Sequence, residues 1–190
     1  MQTQSFSKRF DLGDKRVAVL STHGFEESEL MVPVEVLQSC GVAVDVITPD
    51  GQAIRGWDEE NWGRLISCDV PLDDARAADY DALLLPGGVI NADSLRTIPE
   101  ARDFVKHFFE NAKPAFVICH GAQILIDAGL VRDRTMTSYE AIAQDLKNAG
   151  AHWKNEEVVV DRGLVTSRNP DDLPAFCAAM CEELASGVHA

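Results

Sequence analysis

The chain has 190 residues, of which 46% are hydrophobic and 25% are charged, so it is long enough to bury one sizeable core and has the composition of a globular protein. Its 17 Lys and Arg residues against 31 Asp and Glu residues give a net charge of -14, which argues against binding to nucleic acid or to anionic membrane surfaces. No apolar run at the start could serve as a signal peptide, and no segment reaches transmembrane length. We therefore expect a cytoplasmic protein.

The pattern along the chain predicts a flexible N-terminal arm at residues 1–14 and one α/β domain at residues 15–190. Strands are predicted at 16–21, 42–48, 82–85, 115–119 and in a 158–167 hairpin that turns at Arg162 and Gly163, with a small strand excursion at 52–72; helices are predicted at 26–40, 99–111, 121–128, 138–149 and 170–185. Short strands that alternate with helices are typical of a single-domain, doubly wound fold with a mostly parallel sheet flanked by helices.

Three segments follow predicted strands and carry residues suited to chemistry. They are residues 24–30, 86–88 and 118–121. Because sites on parallel sheets lie at the carboxyl ends of the strands, we expect these segments to converge at one edge.

Cys119 stands at the junction between a strongly apolar strand and a helix. A sharp turn at this point has the geometry of a nucleophile elbow, which exposes the side chain above the sheet. Backbone N–H groups at the start of the helix would lower the pKa of the thiol, so we expect a thiolate at neutral pH. The alternative is an inert structural cysteine in the core.

The neighbours of Cys119 allow a catalytic and a structural interpretation. His120 is either a base or a surface histidine. Gly87 and Gly88 present bare backbone near the thiol, and their N–H groups with that of His120 could form an oxyanion hole. The same glycines also fit a plain tight turn.

Three glutamates open the first predicted helix: Glu26, Glu27 and Glu29. Carboxylates at a helix start suit the helix dipole without any further role. Alternatively, one of them contacts Cys119, in which case its pKa would be raised and it would donate a hydrogen bond to sulfur.

The five cysteines are an odd number in a chain without a secretory signal, so we expect free thiols. No CxxC pair occurs. Cys177 and Cys181 are four residues apart, but they lie in an apolar helical stripe, which favours the core over a metal site. We expect no metal.

With these residues assembled, the chain resembles the PfpI family of intracellular cysteine-protease-like proteins. That family belongs to the superfamily that includes the parkinsonism-associated protein deglycase. The resemblance extends from about Lys15 to Leu184 and implies a flavodoxin-like fold of the class I glutamine amidotransferase-like type. The segments that carry it are Gly-Phe-Glu-Glu-Ser-Glu-Leu (24–30), Asp-Ala-Leu-Leu-Leu-Pro-Gly-Gly (81–88), Lys-Pro-Ala-Phe-Val-Ile-Cys-His-Gly-Ala-Gln-Ile-Leu (113–125), Thr-Ser-Tyr (137–139) and Thr-Ser-Arg-Asn-Pro-Asp-Asp-Leu (166–173).

The resemblance implies roles for individual residues. Cys119 matches the family nucleophile, and Glu29 matches the glutamate that hydrogen-bonds it. His120 matches a histidine that completes a triad with an acid from a neighbouring subunit. In the loop after Gly88, which is one residue longer than the family pattern, Asp93 is the best candidate for that acid.

Further positions are implied near the site. Gly88 and the backbone of His120 match the oxyanion-hole positions. Glu26 matches a second acid close to the site and to the subunit interface, and Tyr139 matches a tyrosine near the thiol. Gly87 precedes Gly88 and is also expected near the site. The resemblance also implies a homo-oligomer, either a dimer or a larger ring, and no cofactor.

The resulting hypothesis is a stress-protective thiol enzyme of the PfpI type. The resemblance supports three substrates, namely a peptide bond, a glycation adduct on a protein, and a free dicarbonyl such as methylglyoxal or glyoxal. The adduct and the free dicarbonyl need only a small pocket, and a site built across a subunit interface suits small substrates better than folded protein, so we rank these two above proteolysis. A glutamine amidotransferase would need a late His-x-Glu pair, which the chain lacks. The alternative from another class is a non-catalytic redox sensor or chaperone in which Cys119 is oxidised to sulfinic acid.

Overall fold

A computed structural model describes residues 9–187. The strands are β1 Arg16–Leu20, β2 Ala43–Thr48, β3 Ile54–Asp58, β4 Asn61–Ile66, β5 Val70–Pro71, β6 Ala82–Leu85, β7 Ala115–Ile118, β8 Thr135–Met136, β9 His152–Trp153, β10 Val158–Asp161 and β11 Leu164–Ser167. The α-helices are α1 Glu27–Ser39, α2 Val89–Arg96, α3 Pro99–Glu110, α4 Gln123–Asp127, α5 Ala143–Asn148 and α6 Leu173–Ser186, and short 3₁₀ turns cover Leu72–Asp74, Ala77–Asp79, Cys119–Ala122, Glu140–Ile142 and Pro170–Asp172.

Seven strands form the central sheet in the order β10-β11-β7-β6-β1-β2-β5. All neighbours are parallel except β10 and β11, which form the predicted antiparallel hairpin. From β1 the chain moves outward to β2 and β5, and it then returns to the other side of β1 with β6. Such a reversal of strand order opens a crevice at the carboxyl ends of β1 and β6, where ligands bind in open α/β sheets.

Helices cover both faces of the sheet, as the alternation of strands and helices predicts. In β1, Val17 and Val19 pack on one face with residues of α1 and α6. Ala18 and Leu20 point to the opposite face and pack with residues of α3, α4 and α5. Because successive side chains of a strand alternate between faces, a strand buried on both sides must be apolar throughout, which explains the continuous apolar runs.

Packing begins earlier in the chain than predicted. Of the predicted arm, residues 1–8 lie outside the described residues. Leu12, however, is buried in the core, and its backbone N–H donates to the carbonyl of Cys40 at 2.9 Å. The packed domain therefore includes Leu12, three residues before the predicted boundary at Lys15.

Three helical segments differ from the prediction. The stretch after Gly88, expected to be a loop, forms α2, whose Asn and Asp residues have low helix propensity and hide the periodicity. The predicted helices at 121–128 and 138–149 begin as 3₁₀ turns, so α4 and α5 are shorter than expected. Within residues 9–187, no helix combines the length and apolar character needed to cross a membrane.

Candidate active site

The three predicted segments converge at the reversal of strand order. They surround a pocket of about 280 Å³. Its lining consists of Gly24, Glu26, Glu29, Trp57, Gly88, Val89, Ile90, Cys119, His120, Tyr139 and Pro170. Backbone contacts fix the convergence, because the N–H of Glu26 donates to the carbonyl of Gly87 at 3.3 Å.

Cys119 occupies a strained turn directly after β7. Its φ is +61°, in the left-handed region that residues with a Cβ rarely adopt. The turn continues as a 3₁₀ turn, and the carbonyl of Cys119 accepts the N–H of Tyr139 at 3.2 Å. The thiol thus lies at the pocket wall with 7% of the residue exposed, which is the geometry of a nucleophile elbow.

Glu29 is fully buried at the start of α1, and its carboxyl interacts with the Cys119 side chain. Its Oε2 accepts the N–H of Gly87 at 2.9 Å. Its Oε1 accepts no hydrogen bond from an N–H or O–H group of the described residues, so this oxygen is left to carry a proton. Burial raises the pKa of Glu29 to about 8, and the carboxyl is therefore mostly neutral at pH 7 and able to donate to sulfur.

Two glycines allow this close packing. A Cβ added at Gly87 would lie 2.4 Å from Oε2 of Glu29 and 2.6 Å from Cβ of Cys119. Gly88 has a φ of +87°, and a Cβ there would lie 2.2 Å from the carbonyl oxygen of Gly24. Only glycine fits at either position, so the interpretation of a plain tight turn does not account for the contacts of Gly87.

The acidity of Cys119 differs from the prediction. Burial is the largest cause that raises the pKa of the Cys119 thiol, and the charge of Glu29, when that carboxyl is ionised, is the second largest. Hydrogen bonds from the backbone N–H groups of His120 and Gly88 lower the pKa by less. The expected stabilisation by a helix start is small, because α4 has only five residues and follows a 3₁₀ turn. The predicted thiolate at neutral pH is therefore wrong, and the thiol needs a base.

His120 is placed to be that base. Its Nδ1 lies 3.2 Å from Sγ of Cys119, and its ring stacks on Tyr139 with 4.7 Å between the centroids. Burial lowers the pKa of His120, so the imidazole is neutral at pH 7 and can accept a proton. The alternative of a surface histidine is wrong, since His120 is buried.

The remaining predicted residues divide into two groups. Glu26 lines the pocket, where burial raises its pKa, and Tyr139 also lines it. Asp93, by contrast, is exposed on α2 and does not line the pocket of this chain. Its predicted role as an acid for a neighbouring subunit stays a prediction.

Sequence reasoning missed an asparagine that holds the glycine turn. Asn91 is fully buried, and its Nδ2 donates to the carbonyls of Pro86 at 3.1 Å and Gly87 at 2.9 Å. Its Oδ1 accepts the backbone N–H of Thr22 at 2.8 Å. This amide links the end of β6 to the end of β1, and it lies in a segment for which the sequence predicts a loop.

The other cysteines take no part in the site. Cys177 and Cys181 are buried in α6, as predicted for core residues. Among residues 9–187, no group of three or more His, Cys, Asp or Glu side chains is arranged to hold a metal ion.

The neutral state of Glu29 predicts a pH-dependent stability. Folding raises the pKa of Glu29 from 4.5 to about 8. The contribution of Glu29 to the free energy of unfolding is therefore complete below pH 4.5 and is lost as the pH rises through 8, a loss of about 5 kcal/mol in total. We expect Glu29→Gln to remove this decline in the free energy of unfolding, measured by urea denaturation across this range. Glu35→Gln, exposed on the same helix, is the control. An unchanged pH profile in Glu29→Gln would contradict the assignment.

Comparison with known proteins assigns residues 15–183 to one family model, described as DJ-1/PfpI. The chain belongs to the DJ-1/PfpI family. Among its relatives, YraA of Bacillus subtilis (strain 168), named as a candidate cysteine protease, is 44% identical over 163 residues, which span 85% of this chain and 94% of that protein. Protein/nucleic acid deglycase 2 of Escherichia coli (strain K12) is 43% identical over 163 residues, which span 85% of this chain and 93% of that protein.

Solved structures agree with this family assignment. The chain matches a two-domain protein from Anabaena variabilis with DJ-1/ThiJ/PfpI-like and ferritin-like domains at a TM-score of 0.85 and 33% identity, covering 90% of this chain and 48% of the other. It matches DJ-1beta of Drosophila melanogaster at a TM-score of 0.81 and 26% identity, covering 90% of each chain. The predicted resemblance and the predicted fold class are both confirmed.

Proposed function

We propose that this DJ-1/PfpI family member is a stress-protective thiol enzyme that acts through Cys119 on reactive dicarbonyls, glycated protein adducts or peptides. The observation that carries the proposal is the 3.2 Å contact between Sγ of Cys119 and Nδ1 of His120 at the wall of a small pocket. A nucleophile beside a neutral base is the arrangement that covalent catalysis requires.

The first step on methylglyoxal is addition of the thiol to the aldehyde. Sulfur forms a bond to the aldehyde carbon, and the thiol proton passes through His120 to the carbonyl oxygen, giving a hemithioacetal. The N–H groups of Gly88 and His120, which interact with sulfur in the free protein, are the donors that would stabilise the developing oxyanion.

The later steps need no external oxidant. A base removes the proton from the former aldehyde carbon, and a proton is returned to the neighbouring ketone carbon, so that one carbon is oxidised as the other is reduced. The product is a thioester of lactic acid on Cys119. Water hydrolyses this thioester to lactate and regenerates the thiol, so the net reaction is methylglyoxal plus water to lactate and a proton.

A protein adduct can enter the same sequence. In an early adduct of methylglyoxal with lysine, sulfur replaces nitrogen on the former aldehyde carbon. The C–N bond breaks, the thiol proton goes to the amine, and the same hemithioacetal results. The pocket of about 280 Å³ suits these small carbonyl groups better than a folded polypeptide, and we therefore rank dicarbonyl and adduct chemistry above proteolysis.

The test is the conversion of methylglyoxal by the purified protein. We expect lactate to form in amounts that match the methylglyoxal consumed. The rival function is a redox sensor, in which Cys119 is oxidised to a sulfinic acid that neutral Glu29 stabilises. Absence of turnover, together with selective oxidation of Cys119 by mild peroxide, would overturn the enzyme proposal in favour of the sensor.

Assembly into a dimer or a larger ring is part of the proposal. Val89 and Ile90 form an apolar rim of the pocket and are 60% and 46% exposed, which supports burial against a partner copy. Asp93 lies on the same helix and makes no ion pair with a described residue. A cytoplasmic location completes the proposal, supported by five free cysteines, which persist in a reducing compartment.

A further inference from the structure

A second, polar cavity lies beside the catalytic pocket. We call this cavity the polar groove. It has a volume of about 600 Å³ and is lined by Tyr139, Glu140, Ala141, Asn155, Arg168 and Asn169. Tyr139 lines both cavities, and the Asn169–Pro170 peptide links the groove to the pocket wall. The groove and the catalytic pocket are therefore adjacent cavities.

The groove has unused hydrogen-bonding groups. Asn155 accepts from Nη1 of Arg168 at 2.8 Å and Asn169 accepts from the N–H of Asp171 at 3.0 Å, each through Oδ1. The Nδ2 groups of both asparagines make no hydrogen bond with the described residues. Each is therefore free to donate to the carbonyl groups of an extended peptide.

The charges of the groove favour a basic ligand. Nε and Nη2 of Arg168 donate to the two carboxylate oxygens of Asp172 at 2.8 and 2.9 Å, so its positive charge is already compensated. The carboxylate of Glu140 forms no ion pair with a described residue, and it is exposed at the groove. With a net charge of -14 on the whole chain, the field attracts cationic segments and repels phosphates.

We infer that the polar groove binds the polypeptide on either side of an adducted lysine, and that it selects basic protein segments over nucleic acid. The inference rests on the proposed function. The lysine side chain passes Tyr139 and carries its adduct to Cys119, while the flanking peptide bonds meet Asn155 and Asn169. A free dicarbonyl occupies the catalytic pocket alone and gains nothing from the groove.

The test compares two variants of the groove with a control in both binding and turnover. Glu140→Gln and Asn155→Ala change exposed groove residues, and Glu156→Gln changes a neighbouring exposed acid outside the groove. The probes are a labelled basic peptide with one methylglyoxal-modified lysine, the same peptide unmodified, and a methylglyoxal-modified guanine oligonucleotide. Binding is measured by fluorescence anisotropy in a Cys119→Ala background, so it does not depend on turnover.

We expect the modified peptide to bind in preference to the oligonucleotide, and each groove variant to weaken its binding about 5- to 10-fold, as the loss of one charged or hydrogen-bonded contact does. When the two groove substitutions are made in the active protein, the specificity for the modified peptide over free methylglyoxal should fall by a similar factor. Glu156→Gln should change neither the binding of the peptide nor this specificity. Equal binding by groove variants and control, or preferential binding of the oligonucleotide, would overturn the inference. If the peptide binds as expected without turnover, the groove stands and the proposed function fails.

Discussion

Replacing Cys119 by alanine is expected to reduce lactate formation from methylglyoxal by at least about 1000-fold, because no other group can form the C–S bond. Two other groups of the site lie close to the thiol. The carboxyl of Glu29 is neutral and buried, and His120 acts as a base on the Cys119 thiol, so neither replaces the thiol as the nucleophile. Lactate is measured in a coupled assay with stoichiometric recovery from methylglyoxal.

The control for this substitution is Cys68→Ser, since Cys68 is only half-buried and lies outside the pocket. That variant should keep the wild-type rate. Circular dichroism and urea denaturation establish that both variants are folded. Lactate formation at an unchanged rate in folded Cys119→Ala would show that the nucleophile is wrongly assigned.

Replacing Gly87 by alanine is expected to reduce turnover by about 100-fold while the protein stays folded. The added methyl group would approach Glu29 and Cys119 to less than 3 Å, so the carboxyl and the thiol must move apart. A displacement of about 1 Å at reacting groups costs on this order in rate, and overpacking of a core costs about 1–3 kcal/mol in stability. The measurements are turnover and urea denaturation on the same sample.

A glycine with free space is the matched control. At Gly13 an added Cβ would lie 3.6 Å from its nearest neighbour, Oδ1 of Asp11, which is ordinary contact. Gly13→Ala should therefore keep both activity and stability. If Gly87→Ala also keeps full activity, the close contact between Glu29 and Cys119 has no catalytic role.

The sequence was informative where a local pattern decides the structure. The apolar run that ends at Cys119 and the glycine two residues later predict the elbow, because few conformations join a buried strand to a helix so abruptly. The alternation of strands and helices then brings residues 24–30 and 86–88 to the same edge. These features depend on chain topology, which short apolar runs largely determine.

The sequence was uninformative where burial decides the chemistry. The acidity of Cys119 depends on how deeply the sulfur lies and on the ionisation of Glu29, and neither follows from a position in the chain. The pocket residue Trp57 was also missed, because it comes from the β3–β4 hairpin, which contributes to the site only through tertiary packing. Asn91 was missed for a related reason, because its hydrogen bonds to Ser21 and Thr22 join it to residues about 70 positions away in the chain.

The central claim is that a neutral Glu29 and the base His120 together make a buried thiol reactive at neutral pH. Glutamine can replace the neutral carboxyl, because its carbonyl can accept from Gly87 and its amide can donate to sulfur. Wild type and Glu29→Gln should therefore react alike near pH 7. They should differ above pH 8, where the wild-type carboxyl ionises and places a negative charge beside the sulfur.

The most direct measurement is the rate of Cys119 alkylation by iodoacetamide as a function of pH, followed by peptide mass spectrometry. The account predicts a wild-type rate that is near its maximum at about pH 7 and falls above pH 8, and a rate in Glu29→Gln that does not fall. Rates that climb in parallel through about pH 8.5 in both proteins, as for an ordinary thiol, would contradict it.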